Sequence, residues 1–493
     1  MAMFISDDRP ATRPRRRTRW FVAGGLAAGS LVVGAAGLAG VAAADRPAAD
    51  RPSLALRGAD GGGEHRDKEG GKGRDHGYDG RDAINVPCDE EKLIDALAYA
   101  NAEGGAHLRL APKCTYVLTD ALDEKDEYDG GIRDARETAD SAENPGDVEA
   151  PPRHPDADRS GLPFVYHPIT IDGRGATIAR AEHAELFRLL TVRDGGELTL
   201  RDVTLANGRS IAEGGSLYVV HGASATIEHV TVVGNTSLSA DGGGGGMYND
   251  GNMVVRDSTF VDNHAEGTAG KGGGLLNGGV MTVRSSTFKD NSAVAYGGGF
   301  GNYRGAAQVN DSTFAHNTAG QGGGVASYSA RTRVADSKVL GNTAEVGGGI
   351  ADSDALIFLS GMEIRGNTAT GNGGGIYVFQ GLVPLDDSTV EDNTALGDGG
   401  GIYAEKSNVV VRRSAVTHND AVEPESQGGG IFATLGRLSL FKSAVVGNSS
   451  TLEPGGVFAD KAQVKVDDDT RIAKNRPTNC VGSTVPVPNC ADY

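Results

Sequence analysis

Aromatic side chains are scarce in this chain. They occupy 5% of 493 positions, and the one tryptophan is Trp20. Basic residues are also in deficit, 47 against 65 acidic for a net charge of -18. That balance excludes nucleic acid and anionic membrane as natural partners, since both require a basic footprint. Four cysteines are too few for a disulfide scaffold, and no Gly-x-y period with high proline is present, which excludes collagen. No Gly-Lys-Ser/Thr follows the glycine runs, so they are not nucleotide loops. What is abundant is glycine, with 75 residues, about twice its ordinary share. With 38% hydrophobic residues the chain has too much apolar content to be disordered throughout. A glycine-rich repeat fold remains, and an ordinary helical enzyme does not.

The first 44 residues read as an export signal: Arg13, Arg15, Arg16, Arg17 and Arg19, then an uncharged run from Trp20 to Ala44 ending in Val41-Ala42-Ala43-Ala44, suited to cleavage before Asp45. Arg16-Arg17 admits the twin-arginine route beside the general secretory one, and an uncleaved anchor is the alternative. The expected location is secreted or cell-surface. Residues 45 to 82, rich in Asp, Arg, Gly, His and Lys, are expected to be a disordered linker. A cap is expected over 83 to 119. Within it Asp89-Glu90-Glu91 opens a helix with Leu93, Ile94, Leu97 and Ala98 on one face, Gly104-Gly105 ends it, and two strands follow.

Residues 120 to 160 hold 14 Asp/Glu against 5 Lys/Arg, with four prolines, and read as a disordered acidic insertion. Asp156-Ala157-Asp158-Arg159-Ser160-Gly161 matches the first half of a calcium loop, but His167 stands where the bidentate Glu belongs. No metal or other cofactor is therefore expected, with calcium left open but unsupported by any complete motif. In an exported chain the cysteines are expected to pair locally, Cys88 with Cys114 and Cys480 with Cys490, stapling the two ends; the second pair closes a tail over 477 to 493.

Between these ends, over 161 to 476, lies a repeat. Asparagine recurs at Asn235, Asn263, Asn291, Asn317, Asn342, Asn367, Asn393, Asn419, Asn448 and Asn475, at spacings of 25 to 29. Three residues before each stands an apolar residue, from Val232, Phe260, Phe288 and Phe314 to Ile472. A glycine run followed by another apolar residue comes after most of the asparagines. This period is too long for a leucine-rich repeat and too strand-rich for helical repeats. It predicts an all-β parallel β-helix of ten to twelve coils with an N-terminal amphipathic capping helix, apolar columns inside, and the asparagines stacked as an amide ladder at a corner.

Phe260-Val261-Asp262-Asn263, Phe288 to Asn291 and Phe314 to Asn317 resemble the Phe-x-x-Asn repeat of the polymorphic outer-membrane-protein family, and the Gly-Gly-Gly-Leu/Val/Ile elements resemble its Gly-Gly-Ala-Ile. Cys88 to Thr119 is similar to the cap of secreted pectin-lyase-like right-handed β-helix proteins. These resemblances imply right-handed coiling and, from the polymorphic members, adhesion at a cell surface.

Two columns are candidates for chemistry. Immediately before the repeat asparagines stand Asp262, Asp290 and His316, and further on Asp392 and His418; stacked carboxylates with an imidazole suit acid-base work on a uronic acid. The competing reading is a set of backbone-bonding turn residues. Two residues beyond the glycine runs lie Tyr377, Tyr403, Phe432 and Phe458, an aromatic stripe able to stack on sugars or partner side chains, or simply on itself. The Asp-Asp and Gly-His-Gly elements of hydrolytic β-helix enzymes are incomplete here. The expectation is a monomeric, non-catalytic adhesion or extracellular-binding module whose partner is an extracellular polysaccharide or a surface protein. A polysaccharide lyase or hydrolase acting on an acidic polysaccharide is one alternative and a wall-associated spacer another.

Overall fold

The computed structural model describes residues 83–122 and 159–491; the expected signal, linker and most of the acidic insertion, Asp156 and Asp158 included, lie outside them. From Leu217 to Ser450 each coil is built of four short strands, paired in parallel with their counterparts in neighbouring coils. In one coil these are Leu275–Asn277 (ladder 1), Val280–Arg284 (ladder 2), Thr287–Lys289 (ladder 3) and Ser292–Ala293 (ladder 4). Ladders 2 and 3 run together as a 25-stranded sheet, ladder 1 has 11 strands and ladder 4 has 10.

The corners follow from backbone sterics. A sharp bend between two extended strands needs one residue in the left-handed region, which Gly, Asn and Asp reach at least cost. Before each repeat asparagine that residue is Gly234, Asp262, Asp290, His316, Gly341, Gly366, Asp392, His418, Gly447 or Lys474, each with φ between 53° and 73°. Every second residue of the intervening strands then points inward, and the inward columns are the apolar ones. Phe260, Phe288 and Phe314 stack with ring centroids 4.7 and 4.9 Å apart.

Behind the corner the asparagines form a continuous ladder. Asn291 Nδ2 and its backbone N–H both donate to Asn317 Oδ1, at 2.9 and 3.0 Å, and Asn317 repeats the pattern onto Asn342. Each amide also donates back to a ladder 3 carbonyl of the preceding coil, as Asn317 does to Phe288. The series ends on Asn479, which accepts from Asn475. A parallel hydroxyl ladder at the other corner, Ser258 to Ser286 to Ser312 to Ser337, satisfies the buried N–H groups there. The glycine runs are explained by proximity: a Cβ on Gly273 would sit 2.3 Å from the Ser292 carbonyl oxygen, because ladder 4 lies directly against the run with no room for side chains.

There are about 14 turns rather than ten to twelve. The difference comes from the N-terminal end, where Ile84–Val86 pairs with Ala106–Leu110 and that strand pairs with Pro168–Arg180. Of the expected cap strands, Ala106–Leu110 is thus an early rung of ladder 2 and Thr115–Leu118 the first rung of ladder 3, and the helix Glu90–Ala102 is an excursion between Ile84–Val86 and Ala106–Leu110. Asp89 caps it, accepting from the Lys92 N–H, and Glu90 and Glu91 sit at the positive end of its dipole. Its buried face is Leu93, Leu97, Ala100 and Asn101; Ala98 is exposed, since the face curves toward Ala100 to cover the open rung. Cys88 is bonded to Cys114 and Cys480 to Cys490, with Cα atoms 5.7 and 6.3 Å apart. Leu122 and Ser160, at the two ends of the acidic segment, pair with each other, so the half-matched calcium loop finishes inside a β-bridge.

Candidate functional site

The column containing Asp262, Asp290 and His316 lies on the exposed corner between ladders 3 and 4, all three residues left-handed at φ 55° to 56°. Asp262 faces His264 at 3.3 Å and Asp290 faces Lys289 at 3.2 Å, while the His316 ring lies over Gly341. Among the described residues no hydrogen bond or ion pair joins the three, and the corner is convex. Their shared property is the turn conformation. Further along, Glu391, Asp392 and His418 bring their ligand atoms within 4.8 Å of one another, the one grouping of metal-ligand type among the described residues. Arg365 already answers it, 2.7 Å from Asp392 and 4.0 Å from Glu391. Asp386 and Asp387 are held by Arg412 and Arg413, and the Arg413 hydrogen bond keeps the Asp387 carboxyl below its usual range.

Tyr377, Tyr403, Phe432 and Phe458 stand in one outward column of ladder 1 and stack at 5.4, 5.0 and 4.7 Å. Their ring faces are therefore spent on each other. Tyr403 and Phe458 are only 8% and 7% exposed, and burial pushes the Tyr403 phenol well above its ordinary pKa. In coils N-terminal to the stripe the variable loop after ladder 4 is itself paired from coil to coil, through Gly243, Lys271, Tyr296 and Gln321. The stripe singled out in the sequence is thus a continuous stack of four rings in the structure.

The open concavity is elsewhere. A groove of about 900 Å³ runs along the corner between ladders 1 and 2, and its polar side chains are His221, Asp250, Asn252, Arg304, Ser329, Arg331 and Asp354. Its depth comes from missing side chains: a Cβ on Gly279 would meet the Gly251 carbonyl at 2.1 Å, and one on Gly305 would meet Asn277 Nδ2 at 2.5 Å. Sequence reasoning passed over this corner because its residues differ in type from coil to coil, and only the glycines beside them hint at it.

A buried polar column underlies the groove. Asn249 donates to Asn277 at 2.7 Å, Asn277 to Asn302 at 2.8 Å, and Asn302 to Thr332, whose hydroxyl is 2.8 Å from that of Ser327. The same amides hold the groove-floor carbonyls of Gly251, Gly279 and Gly305 from inside. In this way the column fixes the floor. It ends on Asp352, fully buried, with neither carboxyl oxygen within hydrogen-bonding geometry of a partner. Burial pushes the Asp352 carboxyl up to about 8; the neighbouring Asp354 charge adds to this, and the nearby Ser327 hydroxyl opposes it.

Beside the groove Tyr303 and Tyr328 stack at 5.3 Å, Tyr296 leans on Tyr328, and Arg304 and Lys271 each stand 5.1 Å from the Tyr303 ring centre. Lys271 is almost wholly buried, and desolvation draws its pKa down while Asp241 and Glu213 oppose that. The arrangement presents two guanidinium groups, two carboxylates and an aromatic wall along one open line, spread over several coils rather than converging on one atom.

A right-handed parallel β-helix with this repeat defines the class. The repeat model described as "Right handed beta helix region" matches residues 189–358 and, overlapping, 305–470, and the chain belongs to that family. Among solved structures it is similar to the A-module of mannuronan C-5 epimerase AlgE6 from Azotobacter vinelandii, at 14% identity and a TM-score of 0.43, over 77% of this chain and 99% of that one. It is also similar to PfbA, a surface adhesin of Streptococcus pneumoniae, at 11% identity and a TM-score of 0.35, over 79% of this chain and 93% of that one. No curated protein sequence matches it.

Proposed function

We propose that the protein is a secreted or cell-surface binding module of the adhesin kind, monomeric and non-catalytic, whose ligand is an extracellular polysaccharide laid along the groove between ladders 1 and 2. One observation carries this reading: His221, Asp250, Arg304, Arg331 and Asp354 rise from five of six consecutive coils along one open line, the coil between Asp250 and Arg304 adding only Gly278, Gly279 and Val280. The coil repeat of roughly 4.8 Å is close to the length of one sugar in an extended chain, so each coil can address one unit. Arg304 and Arg331 suit carboxylates or ring hydroxyls, and Asp250 and Asp354 accept from hydroxyls. Contacts spread in this way suit retention rather than bond cleavage, which needs several groups focused on one reacting atom.

The test is retention of the exported protein on immobilised polygalacturonate, alginate, xylan and dextran, with product release measured in parallel. Arg304→Ala and Arg331→Ala are each expected to weaken retention about tenfold or more, as loss of a charge-assisted hydrogen bond of roughly 1.5–3 kcal/mol predicts. Unsaturated or reducing-end product would overturn the non-catalytic reading, and wild-type retention on none of the four would favour a spacer.

A further inference from the structure

The groove between ladders 1 and 2 has two unlike walls. Its corner side carries His221, Asp250, Arg304, Ser329 and Asp354, all polar. The other side is the first position of the ladder 2 strands, an outward column that reads Val280, Ala306, Arg331 and Leu356 in register. Val280 is 57% exposed, and the column continues into Leu382, 37% exposed. Before and after this stretch the same position is polar: Glu197, Ser224 and Asn252 on one side, Asn408, Arg437 and Gln463 on the other. Strand packing therefore does not ask for an apolar residue there. The aliphatic side chains gather instead along an open surface, where leaving them in water is unfavourable.

Twice a carboxylate and an aliphatic side chain line the groove side by side. Asp354 and Leu356 belong to one coil, with only Ala355 between them. Asp250 and Val280 lie on neighbouring coils, separated by Gly251, Gly278 and Gly279, which place no side chain between them. Asp354 stands four rungs beyond Asp250, about 19 Å at roughly 4.8 Å per rung. The two pairs can thus meet different sugars of one extended chain.

We propose that the sugars held in the groove are N-acetylated. An acetamido group joins a donating N–H to a methyl group, and each pair offers the matching acceptor and apolar surface. The Asp354 carboxylate takes the N–H of one sugar while its methyl packs on Ala355 and Leu356, and Asp250 and Val280 do the same for another. A polyuronate or a glucan has hydroxyls for the carboxylates but no methyl for the aliphatic column, and a 6-deoxy sugar has a methyl without the N–H. The inference rests on the groove reading and names the class of its ligand.

The test uses the full exported chain and two soluble oligosaccharides with the same β-1,4-linked backbone. Chitohexaose carries an acetamido group on every sugar and cellohexaose carries none, and their six units match the six coils that line the groove. Titration calorimetry is expected to give chitohexaose a Kd about tenfold lower or more, from added methyl burial and charge-assisted N–H bonds. Val280→Thr combined with Leu356→Thr puts strand-compatible hydroxyl side chains at two outward positions, so the fold is expected to persist by circular dichroism. In that variant the ratio is expected to fall to about threefold or less, with cellohexaose binding changed by less than about twofold. Arg304→Ala, between the two pairs, is expected to weaken both hexaoses alike. Equal Kd values in wild type, or a ratio unmoved in the folded double variant, overturn the acetamido reading and leave the groove if Arg304→Ala still weakens binding. Retention on polygalacturonate, alginate, xylan or dextran without binding of either hexaose does the same. Binding of no saccharide, or binding indifferent to Arg304→Ala as well, removes both.

Discussion

Asp352 is where the fold works against itself, and Asp352→Asn isolates the cost. The carboxyl is fully buried, its oxygens lack hydrogen-bond partners, and its pKa stands at about 8 against an ordinary 3.8. Between those values the folded chain holds a proton that the unfolded chain has released, so stability falls as pH rises from about 4 to about 8 and then levels. At roughly 1.4 kcal/mol per pH unit, the full window costs on the order of 5 kcal/mol. Asparagine keeps the shape and removes the titration. The assay is urea unfolding of wild type and Asp352→Asn followed by circular dichroism at pH 5, 6, 7 and 8. The expected outcome is a stability gap that widens in favour of the variant by roughly 1 kcal/mol or more per unit. Parallel pH profiles for the two proteins would refute the reasoning, because they would mean that Asp352 is already ionised, or already satisfied, in the folded state.

Three further outcomes are expected. Gly381→Ala places a Cβ 2.0 Å from Asp352 Oδ2 and should destabilise the protein strongly, whereas adding Asp352→Ala should restore much of the loss in a double-mutant cycle of unfolding free energies. Asn317→Ala leaves the Asn291 N–H and the Phe288 carbonyl buried without their partner, which at roughly 1–3 kcal/mol per group should cost about 3–5 kcal/mol by chemical unfolding. Cys490→Ser opens the C-terminal bridge, whose sequence separation is 10, and should cost about 3 kcal/mol, with earlier proteolysis of the tail as the first sign.

The coiled architecture was legible because its determinants recur. An asparagine whose amide serves three neighbours, and an apolar residue three positions earlier, are needed in every coil, so both print a period into the sequence. Ser258, Ser286 and Ser312 recur as regularly, yet a serine beside a turn carries no sign of the hydroxyl ladder that joins them across coils. The polar column from Asn249 to Asp352 spans only five coils and sits where other coils place Val or Ala, so no period announces it. Tyr403 was correctly read as outward-facing, but outward proved not to mean exposed: its ring is sandwiched between Tyr377 and Phe432 and is 8% exposed. The groove escaped for the opposite reason: it arises where the repeat is interrupted, and a departure from a pattern is visible only once neighbouring coils are laid side by side.

The amide ladder has a direction as well as a strength. Every asparagine donates toward the C-terminal coil, Gly208 donates into its first member, and the last member meets Asn479, whose own amide is taken by the Ala491 carbonyl. A helix packs against the first rungs, and a disulfide-bridged tail follows the last. The number of coils is then a length written into the gene. Inserting or deleting one whole repeat would move anything held on one coil relative to anything held on another by a single fixed step, so that the rod serves as a molecular ruler whose graduations are its asparagines.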